Sequence, residues 1–223
     1  DREIASCEYA KYQISHPLDY EITNIGSKIN SPAPDYVPVI SADESMLIFT
    51  TRRDNVTGNK LDLFDELPCE DIFVSYNKNG SWTEAVSIGE SINTKWHDAA
   101  VSISPDGQTL LVYRSDEKGS SKHEAGNIYS SSFDGTNWSE PVIMPSPINS
   151  PDWEPSASLM SHENVMFFSS NRPGGKGGKD IYMSKKLPNG EWGEPINLEG
   201  INTEYDEDAP FVHADDRTLY FAS

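Results

Sequence analysis

The chain has 223 residues, 36% of them hydrophobic and 10% aromatic, enough apolar side chain for one or two cores. Its 17 Lys and Arg against 36 Asp and Glu leave a net charge of -19, with no basic cluster longer than two residues, so nucleic acid is excluded as a partner for want of phosphate-neutralising charge. No run of about 18 apolar residues is present to cross a bilayer as a helix, and Cys7 and Cys69 are too few for a disulfide framework.

Residues 1–16 read as a short helical tail or linker from a preceding domain: Ile4, Cys7 and Lys11 fall at helical spacing with Ala5 and Tyr9 beside them, and Pro17 stops the run. The chain opens on Asp1 with neither a Met nor an apolar leader, so any targeting segment has been removed or lies outside these residues. Cys7 and Cys69 occupy non-equivalent places, and whether they pair is left open by their spacing.

From residue 17 the chain repeats itself. An Ile-Asn-Ser/Thr tripeptide recurs at Asn30, Asn93, Asn149 and Asn202, each time with a carboxylate five residues beyond the Asn: Asp35, Asp98, Glu154 and Glu207. Intervals of 63, 56 and 53 residues are too long for a helical-hairpin repeat and suit one four-stranded sheet per unit, the blade of a β-propeller. A hairpin-turn residue follows 13 positions after each Asn, at Asp43, Asp106, His162 and Asp215. Val37 to Ser41 and Ala99 to Ser104 read as first strands. The apolar, β-branched runs Met46 to Thr50, Thr109 to Tyr113, Val165 to Ser169 and Thr218 to Ala222 read as buried second strands.

A third strand opens at Asp71-Ile72-Phe73, Asn127-Ile128-Tyr129 and Asp180-Ile181-Tyr182. Trp82, Trp138 and Trp192 each follow a Gly-containing turn and are expected to open a fourth strand. Spacing from Trp to the next Asn is nearly constant, so length variation falls between strands two and three, where residues 54–70 are the longest insertion. The expected fold is all-β: a partial blade at 17–31, blades at 32–94, 95–150 and 151–203, and a partial blade at 204–223, in an incompletely covered ring.

This ordered set, with Ser-Asn-Arg-Pro-Gly-Gly at Ser170 to Gly175, resembles the TolB-like propeller repeats of Bacteroidetes cell-envelope proteins over residues 17–223. In that family such propellers commonly sit between an N-terminal tetratricopeptide domain and a C-terminal OmpA-like peptidoglycan-binding domain, and some members belong to the type IX secretion and gliding machinery. The resemblance implies a periplasmic, outer-membrane-associated, non-catalytic scaffold without a cofactor. Its partners would be other envelope or secretion-system proteins, with peptidoglycan reached only through a domain outside this chain and no direct membrane insertion.

Asp35, Asp98, Glu154 and Glu207 stand where the chain passes from an outer strand to the next innermost one, at one mouth of the expected channel. Either they form a ring of negative charge for a partner or a hard cation such as Ca²⁺, or each accepts backbone N–H bonds at its own blade junction. Their Asp, Asp, Glu order also resembles the acid triad of arabinanase-like propeller glycosidases, the alternative reading. Inverting chemistry there needs acid and base about 6.5–9.5 Å apart in chemically unequal surroundings, whereas repetition alone places these acids at one register. Trp96, Trp153 and Tyr205, with His97 beside the first, flank the acids, placed either to stack on a ligand or to pack between blades. No second His stands at ligand spacing to His97, so no metal site is assigned.

Arg53 and Arg172, with Arg114 slightly earlier in register, are expected to clamp the carboxylate that opens strand three, Asp71 or Asp180. The insertion offers Asp62, Phe64, Asp65 and Glu66 as a variable surface for a partner and is expected to be removable without unfolding the protein. The loop Pro173 to Lys179 is read as a flexible turn and not a phosphate loop, because Asp180 stands where Ser or Thr should follow the Lys, and a strand follows in place of a helix.

Overall fold

The computed structural model describes residues 2–17, 19, 21–62, 64–115 and 126–223. Helix α1 (Arg2–Ser15) leads the chain, with Ile4, Tyr9, Tyr12 and Ile14 all exposed. Three antiparallel sheets and one strand pair follow. The first sheet joins β1 (Asp35–Ile40), β2 (Met46–Thr51), β3 (Asp71–Lys78), β4 (Ser81–Trp82) and β5 (Val86–Ser87), with β4 and β5 both pairing β3. The second holds β6 (Asp98–Ile103), β7 (Thr109–Ser115), β8 (Gly126–Ser132) and β9 (Val142–Ile143), and the third β10 (Ala157–Leu159), β11 (Val165–Ser170), β12 (Asp180–Lys185) and β13 (Ile196–Asn197). Last come β14 (Asp208–Val212) and β15 (Leu219–Ala222). The first strands β1, β6, β10 and β14 neighbour one another in that order, which makes the sheets successive blades of an open propeller arc.

Sheets stack through cores between them. Second strands of the three blades are apolar on both faces because both are covered: Met46 and Ile48 of β2 face the second blade with Ala100, Leu110 and Val112, while Leu47 and Phe49 turn the other way to Ile29 and Phe73. The run Thr218 to Ala222, expected to be buried as well, is not: β15 has no buried residue and Tyr220 is 57% exposed. Leu111 of β7, on the face opposite Leu110, joins Ile128, Ala157, Met166 and Phe168 between the second and third blades.

The fourth strands differ from expectation. Trp82 pairs with Asn77 in the short hairpin extension β4, and Trp138 and Trp192 sit at single bridges to Phe133 and Lys186. The strand proper resumes further on as only two residues, Val86–Ser87, Val142–Ile143 or Ile196–Asn197. The indoles are held inward instead, Trp138 in the core between the first two blades and Trp192 in the next. So short a strand is reinforced by a side chain: Asn93, Asn149 and Asn202 each accept the N–H of the strand-three Ile and donate back to its carbonyl, at 2.8–2.9 Å. A buried amide thereby supplies the rungs that a longer strand would have made.

Turns between strands one and two share one conformation. Glu44, Gly107, Glu163 and Asp216, each just after the predicted turn residue, all have positive φ of 51 to 73°; only the second blade uses Gly, the residue that tolerates it best. Residues 17–31, expected as a partial blade, contribute no strand among their described residues; they form a turn in which Ile29 and Asn30 both donate to the Gly26 carbonyl.

Candidate functional site

Each blade junction is closed by a lock in which a Ser or Thr holds the acid four residues on, and the first three add an arginine. Asp35 accepts the Ser31 amide at 2.7 Å, the Ser31 hydroxyl at 2.9 Å, the Thr51 hydroxyl at 2.6 Å and Arg53 Nε at 3.1 Å. Asp98 takes the Thr94 amide and hydroxyl and Arg114 Nε, all at 2.6–2.7 Å. Glu154 takes the Ser150 amide and hydroxyl at 2.9 and 2.7 Å, the Ser170 hydroxyl at 2.6 Å and Arg172 at 3.2 Å. Glu207 takes the Thr203 amide at 2.8 Å, the Thr203 hydroxyl, and Ser223 at 3.1 Å. The Ser or Thr after each repeat Asn is thus there to hold the acid four residues on. Asp98, Glu154 and Glu207 are buried and bonded within their own junctions, which favours the structural alternative over a ring presented to ligand.

The arginines correct an expectation. Arg53, Arg114 and Arg172 pair with Asp35, Asp98 and Glu154, the strand-one carboxylates, and not with Asp71 or Asp180. Sheet register explains this: Asp98 lies directly across from Arg114, and Asp35 across from Thr51, two residues short of Arg53. Each guanidinium also donates to the carbonyl of the Ile before the repeat Asn, at Ile29, Ile92 and Ile148, so it stitches two successive segments together. Asp71 instead accepts the Thr57 amide at 2.6 Å, and Asp180 accepts Lys176, Gly177 and Asn197, which fixes the glycine-rich loop. Burial works to raise the pKa of Asp35, but bonds from Thr51 and Ser31 and the Arg53 charge hold it below the usual range. For the more enclosed Asp98, burial outweighs Arg114 and Thr94, and the pKa is raised.

The aromatic residues and His97 form a second layer: Trp96, His97 and Tyr205 are set against loops of the preceding blade, and Trp153 against β7 of the preceding blade and Lys179 of its own. Lys60 of the insertion lies over the Trp96 ring. Lys179 stands 5.0 Å from the centre of Trp153, whose Nε1 donates to the Tyr113 hydroxyl at 3.2 Å. The Tyr205 carbonyl accepts Gly178 N–H at 3.3 Å. Main-chain clasps repeat as well, with Asp98 N–H donating to Glu70 O at 2.9 Å and Glu207 N–H to Lys179 O at 2.7 Å. Glu70 and Lys179 each stand immediately before the acid that opens strand three, a shared position that sequence reasoning passed over.

The insertion is anchored more firmly than its polar sequence indicates. Val56 and Cys69 are buried, 4% and 2% exposed, so removing residues 54–70 would strip the junction, contrary to expectation. Cys69 and the exposed Cys7 are free thiols. His97 Nδ1 lies 2.7 Å from Glu70 and Nε2 3.1 Å from Asp62; Tyr36 donates to the other Glu70 oxygen, and Arg52 reaches Asp65 at 2.6 Å. Tyr36, Arg52, Lys60 and Glu70 escaped sequence reasoning, because nothing local ties Glu70 to a histidine 27 residues on.

This latch is expected to respond to pH. His97's pKa is raised by its bond to Glu70, against burial and with help from the Glu70 and Asp62 charges. Burial works to raise Glu70, but bonds from His97 and Tyr36 bring it below the usual range. The His97 contribution is complete below its ordinary 6.5 and is lost as pH rises through its raised folded value. That of Glu70 is complete above its ordinary 4.5 and is lost as pH falls through its lowered folded value. Stability from the pair should therefore be greatest between those two ordinary values. Melting temperature measured against pH should decline above that window in the wild type, and the decline should be smaller in His97→Gln.

Stacked antiparallel sheets joined by repeated locks define this chain as a β-propeller. More narrowly, its fold is TolB-like. It is similar to the crystal structure of TolB from Acinetobacter baumannii, with TM-score 0.55 and 16% identity, over 88% of this chain and 39% of that one. A TolB-described chain from Agrobacterium tumefaciens gives 0.53 and 17% identity, over 86% of this chain and 55% of that one. The chain thus spans little more than half, or less, of the TolB proteins it matches. The sequence matches no protein-family model and no curated protein.

Proposed function

We propose that this chain is a non-catalytic, protein-binding propeller of a periplasmic, outer-membrane-associated protein, and that the assembly it serves is type IX secretion or gliding machinery. The observation that carries the reading is the 54–70 insertion. Its base is built into the junction of two blades, while its outer part presents Phe64, 82% exposed, between Leu61 and Leu67, with acidic Asp62, Asp65 and Glu66 alongside. An aromatic side chain held out by an anchored loop and rimmed with charge suits recognition of a protein partner. The TolB-like fold supports the same reading, and so does the containment of Asp35, Asp98 and Glu154, the acids a glycoside hydrolase would use, within equivalent junction locks.

A photo-crosslinking residue placed at position 64 in intact cells should give a defined adduct with an envelope protein. The same residue at position 196 on the outer strand of the third blade should not. Absence of an adduct at 64, together with polysaccharide hydrolysis that disappears in Glu154→Gln, would overturn the scaffold in favour of an enzyme.

A further inference from the structure

The repeat Asn occurs four times, yet among the described residues only three copies grip a strand. In the three complete blades the strand-three residue gripped is Ile72, Ile128 or Ile181, each fully buried. Besides its two bonds to the Asn side chain, that Ile gives its carbonyl to a main-chain N–H of the same segment: Ile88 at 3.1 Å, Met144 at 2.9 Å or Leu198 at 3.0 Å. The next two residues then pair antiparallel with the fourth strand, Phe73 with Ser87 and Val74 with Val86, and likewise in the other blades.

Residues 22–30 reproduce this arrangement without the strand. Ile29 and Asn30 amides donate to Gly26 O at 3.2 and 2.9 Å, as Ile92 and Asn93 donate to Gly89 O at 3.1 and 2.9 Å. Asn30 Nδ2 donates to Asn24 Oδ1 at 3.1 Å, as Asn202 Nδ2 donates to Asn197 Oδ1 at 2.9 Å. Ile29 is buried in a core as Ile92 is, and Thr23 and Asn24 stand at the register of Val86 and Ser87. But Asn30 is exposed where its three counterparts are buried, and Ile22 and Ile25 are 96% and 43% exposed.

We propose that residues 22–30 are a preformed acceptor for one extended strand beginning Asp/Asn-Ile-Phe/Tyr, the third-strand type of this repeat. In the complex Asn30 Oδ1 accepts the N–H of the incoming Ile, and Asn30 Nδ2 and the Ile25 N–H donate to its carbonyl. Thr23 and Asn24 pair antiparallel with the two residues after it. Specificity for an extended backbone comes from the three fixed hydrogen-bonding groups, and because the turn stands ready, capture does not have to order it.

A labelled peptide of sequence Lys179 to Leu187, the strand-three sequence of the third blade, tests this against the intact 223-residue chain by fluorescence anisotropy. Saturable binding is expected, weakened about tenfold or more in Asn30→Ala, which removes two hydrogen bonds. The melting temperature of that variant should be unchanged, and the peptide N-methylated at its Ile should fail to bind. The proposal is overturned by no saturable binding, or by equal affinity in Asn30→Ala, which would place the peptide elsewhere, such as the outer edge of β15. Self-association of the chain without peptide, abolished by Asn30→Ala, would overturn it too by giving the site to a second copy.

Discussion

Replacing Arg172 by alanine is expected to destabilise the protein by about 3–5 kcal/mol, the cost typical of removing one partner from a buried ion pair. Glu154 is 1% exposed, so its carboxylate cannot recover water when the guanidinium goes. It would keep the Ser150 amide and the Ser150 and Ser170 hydroxyls, which are neutral donors. The Ile148 carbonyl, bonded by Arg172 at 2.7 Å, and the Pro147 carbonyl, at 3.1 Å, would lose that donor. Packing goes as well, since the guanidinium lies 4.9 Å from the Phe168 ring centre and 5.2 Å from that of Tyr182. A loss of this size is a large share of the roughly 5–15 kcal/mol that holds a domain folded. Urea unfolding at neutral pH measures it. The double variant Arg172→Met with Glu154→Leu should lose much less than Arg172→Ala, because no charge is then left buried alone. Equal losses would show that the guanidinium acts through packing and not through the carboxylate.

The parts of this molecule that could be read in advance are those whose physics is local. A Ser or Thr and an acid four residues apart meet in one turn, so the junction acids and their alternative as backbone acceptors were visible at Ser31 and Asp35 or Thr94 and Asp98. Apolar runs such as Met46 to Thr50 marked second strands because stacked blades bury both faces. What escaped depends on register across strands. Arg114 finds Asp98 because they lie opposite each other on β6 and β7, and no spacing along the chain distinguishes that partner from an acid on strand three. The Trp residues signalled the fourth hairpin correctly but not that the strand would shrink to two residues, since the substitute rungs come from an Asn amide farther along. The insertion looked detachable because most of its residues are polar; Val56 and Cys69 are few, but they are what anchors it.

Asn149→Ala should be nearly as damaging as the loss of Arg172, about 2–4 kcal/mol from broken bonds and an orphaned buried N–H. Its Oδ1 accepts the Ile128 N–H at 2.9 Å, and its Nδ2 donates to the Ile128 and Met144 carbonyls at 2.9 and 2.8 Å. Ile128 is fully buried, so its freed N–H has no water to turn to, whereas its carbonyl still receives Met144 N–H at 2.9 Å. Asn149→Asp should fall no better, because it keeps the acceptor but removes both donors and buries a charge. The comparison that isolates the cause is Asn30→Ala, the same change at the same repeat position. Asn30 is exposed and its amide grips no strand among the described residues, so folding stability should change by about 0.5 kcal/mol or less. A large loss at 149 beside a small one at 30, both measured by urea unfolding, assigns the energy to capture of strand three. Equal losses would assign it to the turn that all four copies share.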